Sequence, residues 1–98
     1  MKDTMIRRLV LDVLKPHVPT IIELATALSH VKGVGGVNLS LYEVDQQTET
    51  IKATVQGENI DYDGIEDVVK EFGGAIHSID EVVAGKEIVK EYETLQER

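Results

Sequence analysis

Five side chains in this sequence are of the types that hold a divalent cation: Asp12, His17, His77, Asp80 and Glu81. Imidazole serves transition metals and carboxylate serves harder ions, so a site drawing on both could take either class. There is no cysteine, which removes disulfide frameworks, thiolate nucleophiles and cysteine-based zinc sites together. Nucleophilic catalysis fares no better. Ser78, His77 and Asp80 contain the types of a serine–histidine–acid triad, but successive residues of a strand point to opposite faces, so Ser78 and His77 cannot meet there. No glycine-rich phosphate cradle is present, because Gly33, Gly35 and Gly36 lead into a strand pattern where a cradle would open a helix. The sequence therefore offers no catalytic residue by motif.

The composition narrows the partners. Ninety-eight residues with 42% hydrophobic content make one domain. A net charge of −8 repels phosphate backbones and argues against nucleic acid as a partner. The apolar run from Ile6 to Leu14 is interrupted by Arg7, Arg8 and Asp12, far short of the ~20 apolar residues a membrane helix needs, so no membrane partner is expected. The segment from Met1 to Met5 lacks the features of a secretory signal, and a soluble, cytoplasmic protein is the expectation.

The elements that must position these side chains follow from periodicity. Ile6 to Leu14 is rich in β-formers, with Leu9, Leu11 and Val13 on one parity and Arg8, Val10 and Asp12 on the other; Lys15-Pro16-His17-Val18-Pro19 is expected to end this strand. Thr20 and Glu23 have capping-box spacing, and Ile21, Leu24, Ala25 and Leu28 form the apolar stripe of a helix closed by Lys32-Gly33. After a Gly35-Gly36 joint, Val37, Leu39 and Leu41 alternate through a second strand ending near Val44. A polar reversal at Asp45 to Thr48 leads into a third strand, Thr50 to Gln56. Asp63 and Glu66 repeat the capping spacing, and Ile65, Val68, Val69 and Phe72 mark a second helix. Ala75 to Val83 is a fourth strand in which Ile76 and Ile79 differ in parity, the mark of a bulge.

The order β-α-β-β-α-β selects an α+β, ferredoxin-like sandwich: a four-stranded antiparallel sheet with two helices on one face. The right-handed crossover rule places the first and third strands centrally and leaves the other two at the edges. Residues 1–85 then form the domain. The tail, 86–98, carries Ile88, Val89, Tyr92 and Leu95 among charges and is expected to dock on a partner subunit or fray. The uncovered sheet face should carry Arg8, Val10, Asp12, Asn38, Ser40, Tyr42, Lys52, Thr54 and Gln56, joined by Ser78 and Asp80 if no bulge shifts them. Asp12 and Asp80 would approach there across adjacent strands. The ordinary alternative is that Asp12 pairs with Arg8 or Lys52, His77 is a satisfied half-buried histidine, and Asp80-Glu81 is a solvated strand end. Tyr42 is the lone aromatic on this face, too little for the base-stacking of RNA-recognition sheets.

Three stretches carry a resemblance: Leu11 to His17 (LDVLKPH), Gly36 to Leu41 (GVNLSL) and Gly73 to Gly85 (GGAIHSIDEVVAG). With them the chain resembles the archaeal family catalogued as domain of unknown function 211, from about Met5 to Glu91. The resemblance implies a ferredoxin-like fold and assembly into homo-oligomeric rings, and brings no catalytic residues with it. An edge strand with free backbone groups points the same way, toward self-association.

The expectation is a non-enzymatic, homo-oligomeric binding or regulatory module whose sheet face or subunit boundary holds a small ligand or a divalent cation. Its metal ligands would be Asp12 and Asp80, with His77 and Glu81 behind them. The alternatives are a small enzyme with an interfacial active site using His77 or His17 as acid–base group, and a purely structural assembly subunit.

Overall fold

The computed structural model describes residues 4–91. Its element order is β1 (Ile6–Pro16), α1 (Ile21–Ser29), β2 (Val34–Val44), β3 (Thr48–Gly57), α2 (Tyr62–Glu71) and β4 (Ala75–Ala84). All pairings are antiparallel and the strand order is β2-β3-β1-β4, so the split βαβ arrangement stands as expected. β1 and β3 are central, and β2 and β4 form the edges.

Alternation builds the core. Leu9, Leu11 and Val13 of β1 and Ile51, Ala53 and Val55 of β3 share one sheet face, and Leu24 and Leu28 of α1 with Ile65 and Val69 of α2 close over it. Each of these side chains is at most 2% exposed. Burial of this kind is the main driving force for the fold, and truncating a core leucine to alanine costs about 2–5 kcal/mol.

Several boundaries differ from the expectation, each for a local reason. β1 runs on through Lys15 and Pro16, because β4 stops pairing at Leu14↔Ala75 and leaves Pro16 opposite Thr48 alone, at a strand end where a missing N–H is tolerated. α1 opens with the expected capping box: Glu23 N–H donates to Thr20 Oγ1 at 3.2 Å and Thr20 N–H donates to Glu23 Oε1 at 2.8 Å. It ends earlier, at Ser29, with Gly33 at φ +87° beyond it. Gly35 and Gly36 belong to β2 itself. α2 has no capping box. Its N-cap is Asp61, whose side chain makes no capping bond, and Asp63 lies in the first turn, where an acid suits the helix dipole.

Gly33 and Gly57 meet backbone to backbone: a Cβ at Gly57 would stand 2.0 Å from the Gly33 carbonyl oxygen. The turn after α1 and the end of β3 thus approach closer than any side chain allows.

β4 is irregular as its parity required. The register with β1 shifts between Val10/Leu11 and between Asp12/Val13, which leaves Asp80 and His77 as the extra residues. Among the described residues no helix is long and apolar enough to cross a membrane. Of the tail, Lys86 to Glu91 are described and lie beside the open sheet face of their own chain; Ile88, Val89, Lys90 and Glu91 line a cavity there with Arg8 and Val83. Tyr92 and Leu95 lie outside the described residues.

Candidate functional site

The helix-free face of the sheet brings together most of the side chains that periodicity assigned to it. Cross-strand pairing sets Asp12 opposite Lys52 on β3 and opposite Ser78 on β4. Asp80 shares this face by parity with Ser78, and the bulge there sets Glu81 opposite Val10 on the same side. Ser78 Oγ donates to Asp80 Oδ1 at 2.7 Å. Tyr42 shares it by parity with Ser40, at the irregularity between Leu41 and Glu43 on β2. A cavity of about 210 Å³ results, lined by Asp12, Tyr42, Thr50, Lys52 and Asp80. An adjoining hollow of about 250 Å³ is bounded by Arg8, Val10, Lys52, Asp80, Glu81 and Glu91.

The charges on this face are incompletely matched. Arg8 has a carboxylate partner: its Nε donates to Glu81 Oε1 at 2.7 Å and its Nη1 to Gln56 Oε1 at 2.6 Å. Arg8 is therefore taken by Glu81 and does not pair with Asp12. Among the described residues neither Asp12 nor Lys52 forms an ion pair, although they face each other across the β1/β3 ladder. The smaller cavity holds two carboxylates, one ammonium, the Thr50 hydroxyl and a 66%-exposed tyrosine, with the Ser78 hydroxyl bonded to Asp80 beside it.

His77 does not join this group. It is exposed, occupies the second irregularity of β4, and makes no hydrogen bond or ion pair among the described residues. Glu81 reaches the face but is committed to Arg8. Among the described residues no three His, Asp or Glu side chains gather closely enough to hold a metal. The geometry thus brings Asp12, Asp80 and Glu81 to one surface and leaves His77 apart.

His17 lies elsewhere, in a cluster that residue-by-residue reading passed over. Lys15 continues the core parity of β1 and is 1% exposed. Its ammonium donates to the carbonyls of Pro16, at 2.7 Å, and Pro19, and it faces Glu49 Oε1 at 3.3 Å. The other oxygen of Glu49 accepts from His17 Nδ1 at 3.0 Å. His17 Nε2 faces two carbonyls of the β2–β3 turn, Asp45 O at 2.8 Å and Gln46 O at 3.1 Å. The hydrogen bond to Glu49 is the first cause that raises the pKa of His17, aided by the turn carbonyls and opposed by desolvation. In return the His17 hydrogen bond holds the Glu49 carboxyl below its usual range, with Lys15 adding to the effect. The signal for this cluster was available in parity: Lys15 follows Leu9, Leu11 and Val13, and Glu49 precedes Ile51, Ala53 and Val55.

A four-stranded ferredoxin-like sheet with helices on one side and a mixed-charge cavity on the other defines a small α+β domain of the open-faced kind. The family described as domain of unknown function 211, an uncharacterized ArCR, matches residues 7–98, and the chain belongs to that family. An uncharacterized protein of Methanocaldococcus jannaschii is 50% identical to it over 93 residues, covering 95% of this chain and 96% of the relative.

Proposed function

We propose that this protein is a non-enzymatic, homo-oligomeric, cytoplasmic binding module that holds a small polar ligand on the open face of its sheet, with Asp12 and Asp80 as the first contacts. One observation supports the reading: Asp12 and Asp80 line the same cavity as Lys52, and neither Asp12 nor Lys52 has an ion-pair partner among the described residues. Charged groups left without partners beside a cavity are what a ligand of complementary charge completes.

The donor set favours one class of occupant over the other. A divalent cation such as Ca²⁺ takes roughly six to eight oxygen ligands. Here the two carboxylates share their surroundings with the Lys52 ammonium, which opposes a bare cation. A ligand carrying both an amino group and an acidic group suits the face better, its cation between Asp12 and Asp80 and its anion toward Lys52. Assembly is supported by the edge strands. β2 exposes Leu41, Tyr42 and Val44, and β4 exposes Ile79 and Val82, all beside unpaired backbone edges.

The test is a thermal-shift screen of metal-stripped protein against small zwitterions, amines and the cations Ca²⁺, Mg²⁺, Mn²⁺ and Zn²⁺, repeated on Asp12→Asn and Asp80→Asn. A ligand at ~100 times its dissociation constant adds about 2.7 kcal/mol, which raises the melting temperature of a domain this size by roughly 10 °C or more. A zwitterion that stabilises the wild type and neither variant upholds the reading. Stabilisation by a cation alone transfers the site to metal binding, and a screen without any hit removes the ligand and leaves a structural subunit. Light scattering across a concentration series tests assembly separately, and a monomer at every concentration overturns it.

A further inference from the structure

We propose that His17 is a proton-operated clamp that ties the β2–β3 turn to the loop leaving β1. Hydrogen-bond capacity decides the state of this ring. A neutral imidazole has one N–H donor and one lone pair, whereas an imidazolium has two donors. Around His17 every near neighbour is an acceptor: the Glu49 carboxylate on Nδ1 at 3.0 Å, and the carbonyls of Asp45 and Gln46 on Nε2 at 2.8 and 3.1 Å. In either neutral tautomer one nitrogen lone pair would confront an oxygen at hydrogen-bond distance. The observed arrangement is satisfied only by the charged ring.

The surrounding charges come from four elements. Glu49 of β3 is the direct partner, and Lys15 of β1 holds the other oxygen of the same carboxylate. Glu23 sits in the first turn of α1, held below its usual range by Thr20 with a smaller contribution from Lys15. Asp45 belongs to the turn that is clamped. Among these charges it is Glu49 that acts on the ring, and it favours the imidazolium.

The proton can also leave. The His17 side chain is 36% exposed, and Asp45 and Gln46 are exposed. A neutral ring keeps its single proton on Nδ1 for the carboxylate, the stronger acceptor, so deprotonation frees two turn carbonyls that water takes up at once. The buried pair stays intact and only the turn is released. That turn begins where β2 ends, and β2 carries Tyr42 and the exposed apolar edge, so proton loss loosens the end of the edge strand. The clamp stands on the His17 geometry alone and does not depend on the ligand reading.

The experiment follows the histidine ring nitrogens by NMR from about pH 5 to about pH 9, with assignment through His17→Gln, and measures Asp45 amide exchange corrected for its intrinsic base catalysis. Asp45 N–H closes the turn on Thr48 O at 2.8 Å and reports its opening. The expected result is a His17 midpoint above 6.5 with both ring nitrogens protonated on its acid side. Corrected exchange should rise across that midpoint by up to about tenfold for each unit by which clamping raises the pKa. His17→Gln should show one pH-independent level, because it keeps the Lys15–Glu49 pair and lacks the titrating ring. A midpoint at or below 6.5 overturns the clamp, and so does an Asp45 exchange rate that ignores the titration.

Discussion

The two charged regions of this molecule share residue types and differ in how completely those types are matched. At the turn end, Lys15 is buried, Glu49 accepts from a cation on each oxygen, and His17 has an acceptor at both nitrogens. On the open face, Arg8 and Glu81 are paired, while Asp12 and Lys52 stand opposite each other without an ion pair. A saturated cluster has nothing left to offer a ligand and acts on the fold itself. An unsaturated one beside a cavity contributes little to folding and keeps its capacity for a partner. On the reading we propose, stability belongs to the first region and binding to the second.

The sharpest way to break that assignment is to remove one lysine from each region. Lys15→Met leaves Glu49 half-paired and the carbonyls of Pro16 and Pro19 without their donor, and should cost about 3 kcal/mol or more in urea unfolding. Lys52→Met should change stability by less than about 0.5 kcal/mol. Equal losses would mean that the two regions do not differ as described. Glu49→Gln comes next, at about 2 kcal/mol, since the neutral amide can still accept from one cation, while both cations lose their counter-charge and the other loses its acceptor.

The pH dependence sharpens the contrast further. His17 has its folded pKa raised above 6.5, so its contribution is whole below 6.5 and is lost as pH rises through the raised value. Glu49 has its folded pKa lowered below 4.5, so its contribution is whole above 4.5 and is lost as pH falls through the lowered value. The cluster is therefore at full strength between 4.5 and 6.5, and urea midpoints across pH should lose their alkaline fall in His17→Gln. Asp12→Asn and Asp80→Asn should leave that profile in place. Arg8→Ala on the open face should cost roughly 0.5 kcal/mol, as a partly exposed pair does, read by the same unfolding curves.

The fold was legible because its signals are redundant. β1 and β3 alternate cleanly, Thr20 and Glu23 carry a complete cap, and the parity break between Ile76 and Ile79 located the irregular strand. The open face was legible for the same reason, down to Asp12, Tyr42, Lys52 and Asp80 sharing it. Three features were harder to read. Arg8 chooses Glu81 because the bulge at Asp80 sets Glu81 opposite Val10, and the position of a bulge depends on register. His77 takes the parity opposite to Ser78, and the second shift leaves it without a partner in the β1 register as well. The Lys15–Glu49–His17 cluster joins residues up to 34 positions apart, and two prolines in the intervening loop argued for a strand end where the structure continues the strand.

The strand order also bears on how the chain is made. β1 holds the centre of the sheet, yet Leu11 pairs with Ile79 of the last strand. That partner is translated roughly seventy residues later, several seconds at ~5–20 residues per second. Through that interval Leu9, Leu11 and Val13 wait as a nascent apolar strand with one flank unpaired. Arg7, Arg8, Asp12 and Lys15 break this run into pieces too short and too charged to stack readily with another chain. The same charges that sort into a saturated cluster and an open face in the finished domain thus act earlier as gatekeepers on the ribosome-bound chain.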